Sequence, residues 1–285
     1  MGSWSAGAAA ADIDFVNQFR NLSFRQTGDA TLVDNGAFFS VGATLNTAAT
    51  GAYADGQLSF GDPASPNTLG LNSSDGGKSF GFQSSSLPTQ AAMDAALPLA
   101  TAYTYTLSAL DPSAPDATAT QVVDVAAYPL SPPQLSGNGF SALQGMNAAL
   151  PLSLSFSPFG VAPGTTEAFV FLSIFDQTDG SAIFPVSFAP ADTGGVTLAG
   201  GTLTAGHAYT YELIFSDRVL ESGDGANFAP QAGFDLRTSG DFSTAAAVPE
   251  PQGWALLLGG LTVLGCRLGA PRSNWAAARR RGRKG

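Results

Sequence analysis

The chain has 285 residues, with 12 Lys and Arg against 22 Asp and Glu, 44% hydrophobic residues, 34 Gly, 18 Pro and one cysteine. The apolar content and 20 Phe exclude wholesale disorder, and the lone Cys266 excludes an internal disulfide framework. Met1–Pro249 carries a net charge of −16 and the residues from Glu250 onward +6, so the body repels nucleic acid and the terminal arginines do not read as a DNA- or RNA-binding arm.

Met1–Ala11 (MGSWSAGAAAA) holds no Lys or Arg, and its Ala9-Ala10-Ala11 run before Asp12 fits a small-residue cleavage site. Residues 1–11 are therefore expected to be the remnant of a longer signal peptide. From Asp12 the chain reads as short strands of alternating polarity between Gly, Pro, Asn and Asp turns, an all-β pattern. A short helical turn is expected within residues 86–97. Ala102–Asp111 (AYTYTLSALD) then returns without a gap as Ala208–Asp217 (AYTYELIFSD), identical at six of ten positions and offset by 106.

That spacing fits two tandem immunoglobulin-like β-sandwich domains, 12–128 and 134–243, with a single larger sandwich or jelly roll as the alternative. The boundary falls at Tyr128-Pro129-Leu130-Ser131-Pro132-Pro133, where three prolines deny the chain strand hydrogen bonds. In the second domain Leu152, Leu154 and Phe156 alternate with serines. Phe169–Phe175 reads as a strand, Gln177-Thr178-Asp179-Gly180 as its turn, and Ser181–Phe188 as the return. Residues 218–247 look looser, and Thr244–Ala247 reads as a spacer.

Catalytic chemistry has few places to reside. His207 is the only histidine, so zinc and copper lack a ligand cluster. It aligns with Thr101 at a strand entry, which suits a surface turn better than a Ser-His-Asp triad. Calcium is the metal with a candidate, Asp176 and Asp179 in one tight turn. Turn geometry explains the same residues, and the EF-hand positions that need ligands hold Gly180 and Ser187. Two acids of a glycosidase cannot be picked out of a β fold by spacing. Most phenylalanines are expected in the core. Asn21-Leu22-Ser23 and Asn72-Ser73-Ser74 match a glycosylation sequon at the level of chance.

The end of the chain is tripartite: Val248-Pro249-Glu250-Pro251, an apolar run from Trp254 to Cys266, and a basic end with Arg279, Arg280, Arg281, Arg283 and Lys284. The run contains Leu256, Leu257, Leu258, Leu261, Val263 and Leu264. As a helix its 13 residues reach about 20 Å, short of a bilayer core of about 30 Å, so the span must extend through Arg267 to Pro271. Arg267 can snorkel, Trp254 and Trp275 flank the segment, and the basic cluster orients the C-terminus to the cytoplasm. This arrangement resembles the PEP-CTERM sorting signal of exported bacterial proteins. The Gly269-Ala270-Pro271 interruption before the basic end departs from the family pattern.

The resemblance spans about an eighth of the chain. It implies export, transient anchoring in the inner membrane by one transmembrane helix, and cleavage near Val248–Pro251 by an exosortase, a membrane-embedded transpeptidase. Segment 244–285 is then spacer, motif, helix and basic tail. The body is expected to be non-enzymatic and without a cofactor, acting at the cell surface, in the envelope or in a biofilm matrix. The alternatives are a carbohydrate-binding module or adhesin that grips exopolysaccharide, and a secreted hydrolase that uses carboxylates.

Overall fold

The computed structural model describes residues 12–189 and 194–247. The expected signal remnant at 1–11 and everything from Val248 onward, motif, membrane anchor and basic end included, lie outside the described residues. Met1–Ala245 forms one compact unit and Ala246–Gly285 a second; the description below concerns the first. No helix among the described residues is long and apolar enough to cross a membrane.

The described chain is all-β with two short helices. In order it runs β1 (Ile13–Gly28), β2 (Thr31–Leu45), β3 (Tyr53–Phe60), β4 (Asn67–Ser74), β5 (Ser79–Gln83), α1 (Gln90–Ala96), β6 (Ala102–Ala109) and β7 (Ala117–Val122). It continues with α2 (Gly139–Leu143), β8 (Leu152–Leu154), β9 (Glu167–Asp176), β10 (Val186–Phe188), β11 (Val196–Leu198), β12 (Ala208–Leu220) and β13 (Gln231–Ser243). Eleven strands join in the order β10-β9-β12-β13-β1-β2-β5-β4-β3-β6-β7, and β8 and β11 form a separate pair.

The hydrophobic residues collect in two main clusters. One draws on the first half of the chain, with Val16, Phe39, Val41, Leu58, Phe80, Tyr103, Tyr105 and Leu107. The other draws on the second half, with Leu154, Val170, Leu172, Ile174, Leu198, Tyr209, Tyr211, Leu213 and Phe215. Each large apolar side chain removed from water contributes roughly 1.5–3 kcal/mol before chain entropy is counted. The proline-rich stretch 129–133 lies between the two clusters in sequence, but the sheet crosses from one to the other. β13 comes from the second half and lies parallel to β1 from the first, in register from Asn17–Gln231 to Arg25–Ser239.

The first half folds back on itself. Across its core the Tyr105 hydroxyl on β6 donates to the Asn17 carbonyl on β1 at 3.0 Å and lies 3.1 Å from the Gln121 side-chain oxygen on β7. The return is made by β4, which switches sheets: Asn72–Ser74 pair with β5, and Asn67–Leu71 pair with β3. Outside β7, the Thr120 and Val122 amides donate to the carbonyls of Asp224 and Ser222 at 2.7 and 2.8 Å, which covers an edge that would otherwise template aggregation.

The helical turn expected in 86–97 is α1, capped by the Thr89 hydroxyl, which accepts from the Ala92 amide at 3.1 Å. The hairpin over 169–188 is present, with the return strand β10 confined to Val186–Phe188. Residues 218–247 are not loose, because 231–243 form the long strand β13, bonded to β12 on one side and β1 on the other. Its inward positions include Thr238 and Gly240 between Leu236 and Phe242, so its apolar alternation is broken although its burial is not.

Candidate functional site

The repeated ten-residue stretches lie on β6 and β12, and their tyrosines do the same work. The first Tyr of each turns back to the backbone five residues upstream: the Tyr103 hydroxyl donates to the Pro98 carbonyl, and the Tyr209 hydroxyl to that of Thr204. This is the tyrosine corner of β-sandwich folds. The second Tyr of each reaches β1, Tyr105 at Asn17 and Tyr211 at the Gln26 side-chain oxygen, 2.7 Å away. Gln26 in turn holds Leu135 from both sides, accepting from its amide at 2.9 Å and donating to its carbonyl at 3.0 Å. One strand thus braces both repeats.

The second corner is also where the chain leaves the described body. The Thr244 hydroxyl donates to the Thr204 carbonyl at 2.7 Å and accepts from the His207 amide at 3.1 Å. The Thr244 amide donates to the His207 carbonyl at 3.0 Å, the Gly206 amide to the Ala245 carbonyl at 2.9 Å, and the Ala245 amide to the Met146 carbonyl at 2.8 Å. These bonds fasten the chain up to Ala245. Only Ala246 and Ala247 then separate this clamp from Val248, the first residue of the Val-Pro-Glu-Pro sequence.

His207 sits at the edge of the clamp with its side chain 40% exposed, and its Nδ1 lies 2.8 Å from Asp176 Oδ2. The hydrogen bond to His207 and the Thr178 amide hold the Asp176 carboxyl down, to about 2. Asp179 is likewise held below the ordinary carboxylate value, by the Ser181 hydroxyl and amide. Both acids of the calcium candidate are therefore used as turn acceptors, from Thr178 and Ser181, each at 2.8 Å. Among the described residues no group of three or more His, Cys, Asp or Glu is placed to hold a metal ion. Sequence reading placed His207 in a turn and missed its partner, which is 31 residues away.

Three further carboxyls are raised above their ordinary values. Asp217 is fully buried, and burial pushes its carboxyl up to about 6. Burial also raises Asp235, but β12 and β13 pair Asp217 with Phe234 and Ser216 with Asp235, which puts the two acids on opposite faces of the sheet. Glu221 is raised to about 7, by burial first and then by Asp124.

The row of Tyr or Trp that a sugar-binding sheet would expose is not seen among the described residues. Tyr53, Tyr103, Tyr105, Tyr209 and Tyr211 are core residues. The outward face of the central sheet instead carries phenylalanines, a residue type expected mostly in the core. Phe19 lies beneath the Arg218 guanidinium, 4.4 Å from its ring centre, and Phe38 beneath that of Arg237 at 5.3 Å. Of the two sequon asparagines, Asn21 is buried and Asn72 is exposed.

No family model matches the chain, and no curated protein matches it. Solved structures that resemble it include a two-domain fibronectin type III segment of chicken tenascin, at 15% identity over 78% of this chain and 97% of that one, with a TM-score of 0.25. A Salmonella alpha-2-macroglobulin mutant matches at 13% identity over 84% of this chain and 15% of that one, with a TM-score of 0.27. A tetra-tandem repeat from the extending region of a large adhesion protein matches at 15% identity over 80% and 50%, with a TM-score of 0.21. Superposition this partial does not assign the chain to any of these families.

Proposed function

We propose that the chain is an exported, non-enzymatic surface or matrix protein, released from the inner membrane when an exosortase cleaves at Val248-Pro249-Glu250-Pro251. The observation that carries this reading is the clamp. Backbone bonds fasten the body to Ala245, and the Pro-Glu-Pro sequence begins within a few residues, followed by the apolar run and the arginine cluster. A transpeptidase at the bilayer needs such a division between a folded cargo and a separate recognition strip. The prolines favour an extended strip, and Glu250 offers one carboxylate to a basic partner. Trp254, Leu256–Leu258, Leu261, Val263 and Leu264 supply the anchor, and Arg279–Arg281, Arg283 and Lys284 the cytoplasmic stop. The non-enzymatic part is supported by the engagement of both turn acids with hydrogen-bond donors and by the separation of Asp217 from Asp235 across the sheet.

Intact-mass analysis of the protein from its native host, with and without the exosortase, tests the proposal. A product ending between Val248 and Pro251 only when the enzyme is present is the expected result. A full-length, membrane-free protein in both strains would overturn it.

A further inference from the structure

Past Phe242 the exit strand is fastened by hydrogen bonds and not by core packing. Phe242, 3% exposed, is the last large apolar side chain buried among the described residues. After it Ser243 is exposed, Thr244 buried, Ala245 half-buried, and Ala246 and Ala247 exposed. The Ser243 carbonyl accepts from the Gly145 amide at 2.8 Å, and Thr244 and Ala245 bond to Met146, Thr204, Gly206 and His207. The receiving side is held independently of the exit strand. The Tyr209 hydroxyl accepts from the Thr204 amide at 2.8 Å, and His207 Nδ1 lies 2.8 Å from Asp176. Ser243–Ala245 is therefore the part that yields, and it carries no large apolar side chain into water when it does.

Covalent length gives this a consequence. Three Cα steps separate Ala245 from Val248, about 11 Å of chain at full extension. A transpeptidase takes its substrate as an extended strand running several residues to each side of the bond it cuts. With the clamp closed, the residues that lead into Val248-Pro249-Glu250-Pro251 begin at the clamp itself. With Ser243–Ala245 released, six steps from Phe242 supply about 20 Å. We propose that the clamp gates processing: the exosortase cuts only molecules in which Ser243–Ala245 have peeled away from residues 145–146 and 204–207. This rests on the exosortase reading above and adds that the folded body sets the rate. Local openings that break few contacts lie at the low end of the stability range. Cleavage of a transiently opened segment follows the population of the open form when reclosing outpaces cutting.

Pulse-chase of the full chain in its native host, with and without the exosortase, tests the gate. Thr244→Val removes bonds of the clamp alone, and cut product should form about 5–30-fold faster than from the parent. Six Gly and Ser residues inserted between Ala247 and Val248 leave the body unchanged and supply the reach without opening. The insertion should also speed cutting, and adding Thr244→Val to it should bring no further gain. If Thr244→Val does not fold, the insertion decides: cutting no faster than the parent's overturns the gate. Enzyme-dependent cutting at one rate in the parent and both variants overturns the gate and leaves the exosortase reading standing. Absence of any enzyme-dependent product, from the parent and from every variant, overturns that reading and the gate with it.

Discussion

Asp111 and Asp217 end the two copies of the same ten-residue stretch, yet the fold treats them in opposite ways. β6 stops at Ala109, so Asp111 falls in the following turn, where its carboxylate accepts from the Ser113 amide at 2.9 Å and hydroxyl at 2.7 Å. Those bonds lower its pKa. β12 runs on to Leu220, so Asp217 keeps the inward phase of Tyr209, Tyr211, Leu213 and Phe215 and is buried with the Ala162 amide, 2.8 Å away, as its donor. Burial raises its pKa to about 6. A repeat therefore specifies side-chain direction, while strand length decides whether the final carboxylate meets water or core.

The two corners differ in the same manner. In the first half, the corner carbonyls of Leu97 and Pro98 receive the guanidinium of Arg20 from β1, and Arg20 also pairs with Asp94 at 3.0 Å. In the second half the matching carbonyl, that of Thr204, receives the neutral hydroxyl of Thr244 from the end of β13. One corner is tied by a buried cation at the beginning of the chain, the other by a hydroxyl at its exit.

Arg20→Ala breaks the first corner and should have the largest effect. Arg20 is only 1% exposed, and its loss leaves the Leu97 carbonyl and a half-buried Asp94 without their donor, while the Pro98 carbonyl keeps the Tyr103 hydroxyl. Losing one partner of such a pair costs about 3–5 kcal/mol, to be read from urea unfolding of the full chain. Asp217→Asn should act next and with the opposite sign. A carboxyl raised from 3.8 to about 6 by folding gives its full stability below pH ~4 and loses it as pH rises through about 6. Asparagine keeps the acceptor for Ala162 without the charge. The variant should be about 2–3 kcal/mol more stable than the parent at pH 8 and equal to it at pH 4. Equal stability at both pH values would mean that the charge on Asp217 is compensated in the native fold.

Thr244→Val tests the second corner. It removes the hydroxyl that donates to Thr204 and accepts from His207, at an expected cost of about 1–2 kcal/mol. Faster amide exchange should be confined to Gly206 and His207. A loss spread evenly over both halves would show that the exit clamp and the first corner belong to one cooperative unit.

What the sequence discloses depends on whether the relevant signal is local. The tyrosine repeat, the β9–β10 hairpin and the Thr89-capped helix all declare themselves within ten to twenty residues. β1 does not, because its inward positions include Gln18, Arg20 and Gln26, all buried, and polar residues there erase the alternation that marks a half-buried strand. β13 is obscured by Thr238 and Gly240, and its parallel partner lies more than 200 residues away. The pairing of His207 with Asp176 and the sheet switch of β4 arise from where strands end or change partners. Residue order carries those facts only through the completed fold.

The smallest expected effect is also the sharpest test of the repeat. Tyr103→Phe and Tyr209→Phe remove one hydroxyl each from equivalent corners, but the hydroxyls differ in how much they hold. Tyr103 donates to the Pro98 carbonyl, which keeps Arg20 Nη2 at 3.4 Å when the hydroxyl is gone. Tyr209 donates to the Thr204 carbonyl at 3.3 Å and also accepts from the Thr204 amide at 2.8 Å. After Tyr209→Phe the carbonyl keeps Thr244, but the amide loses its acceptor. A donor left without its acceptor costs more than a lost bond whose partner is satisfied elsewhere, and Thr204 is exposed, so Tyr209→Phe should cost about 1–1.5 kcal/mol and Tyr103→Phe about 0.5–1 kcal/mol. Combining Tyr103→Phe with Arg20→Ala should then cost more than the two separate losses together, because each substitution removes the donor that the other leaves behind. Simple additivity in that double variant would mean that the first corner is held by Asp94 and α1, with the Pro98 carbonyl contributing little.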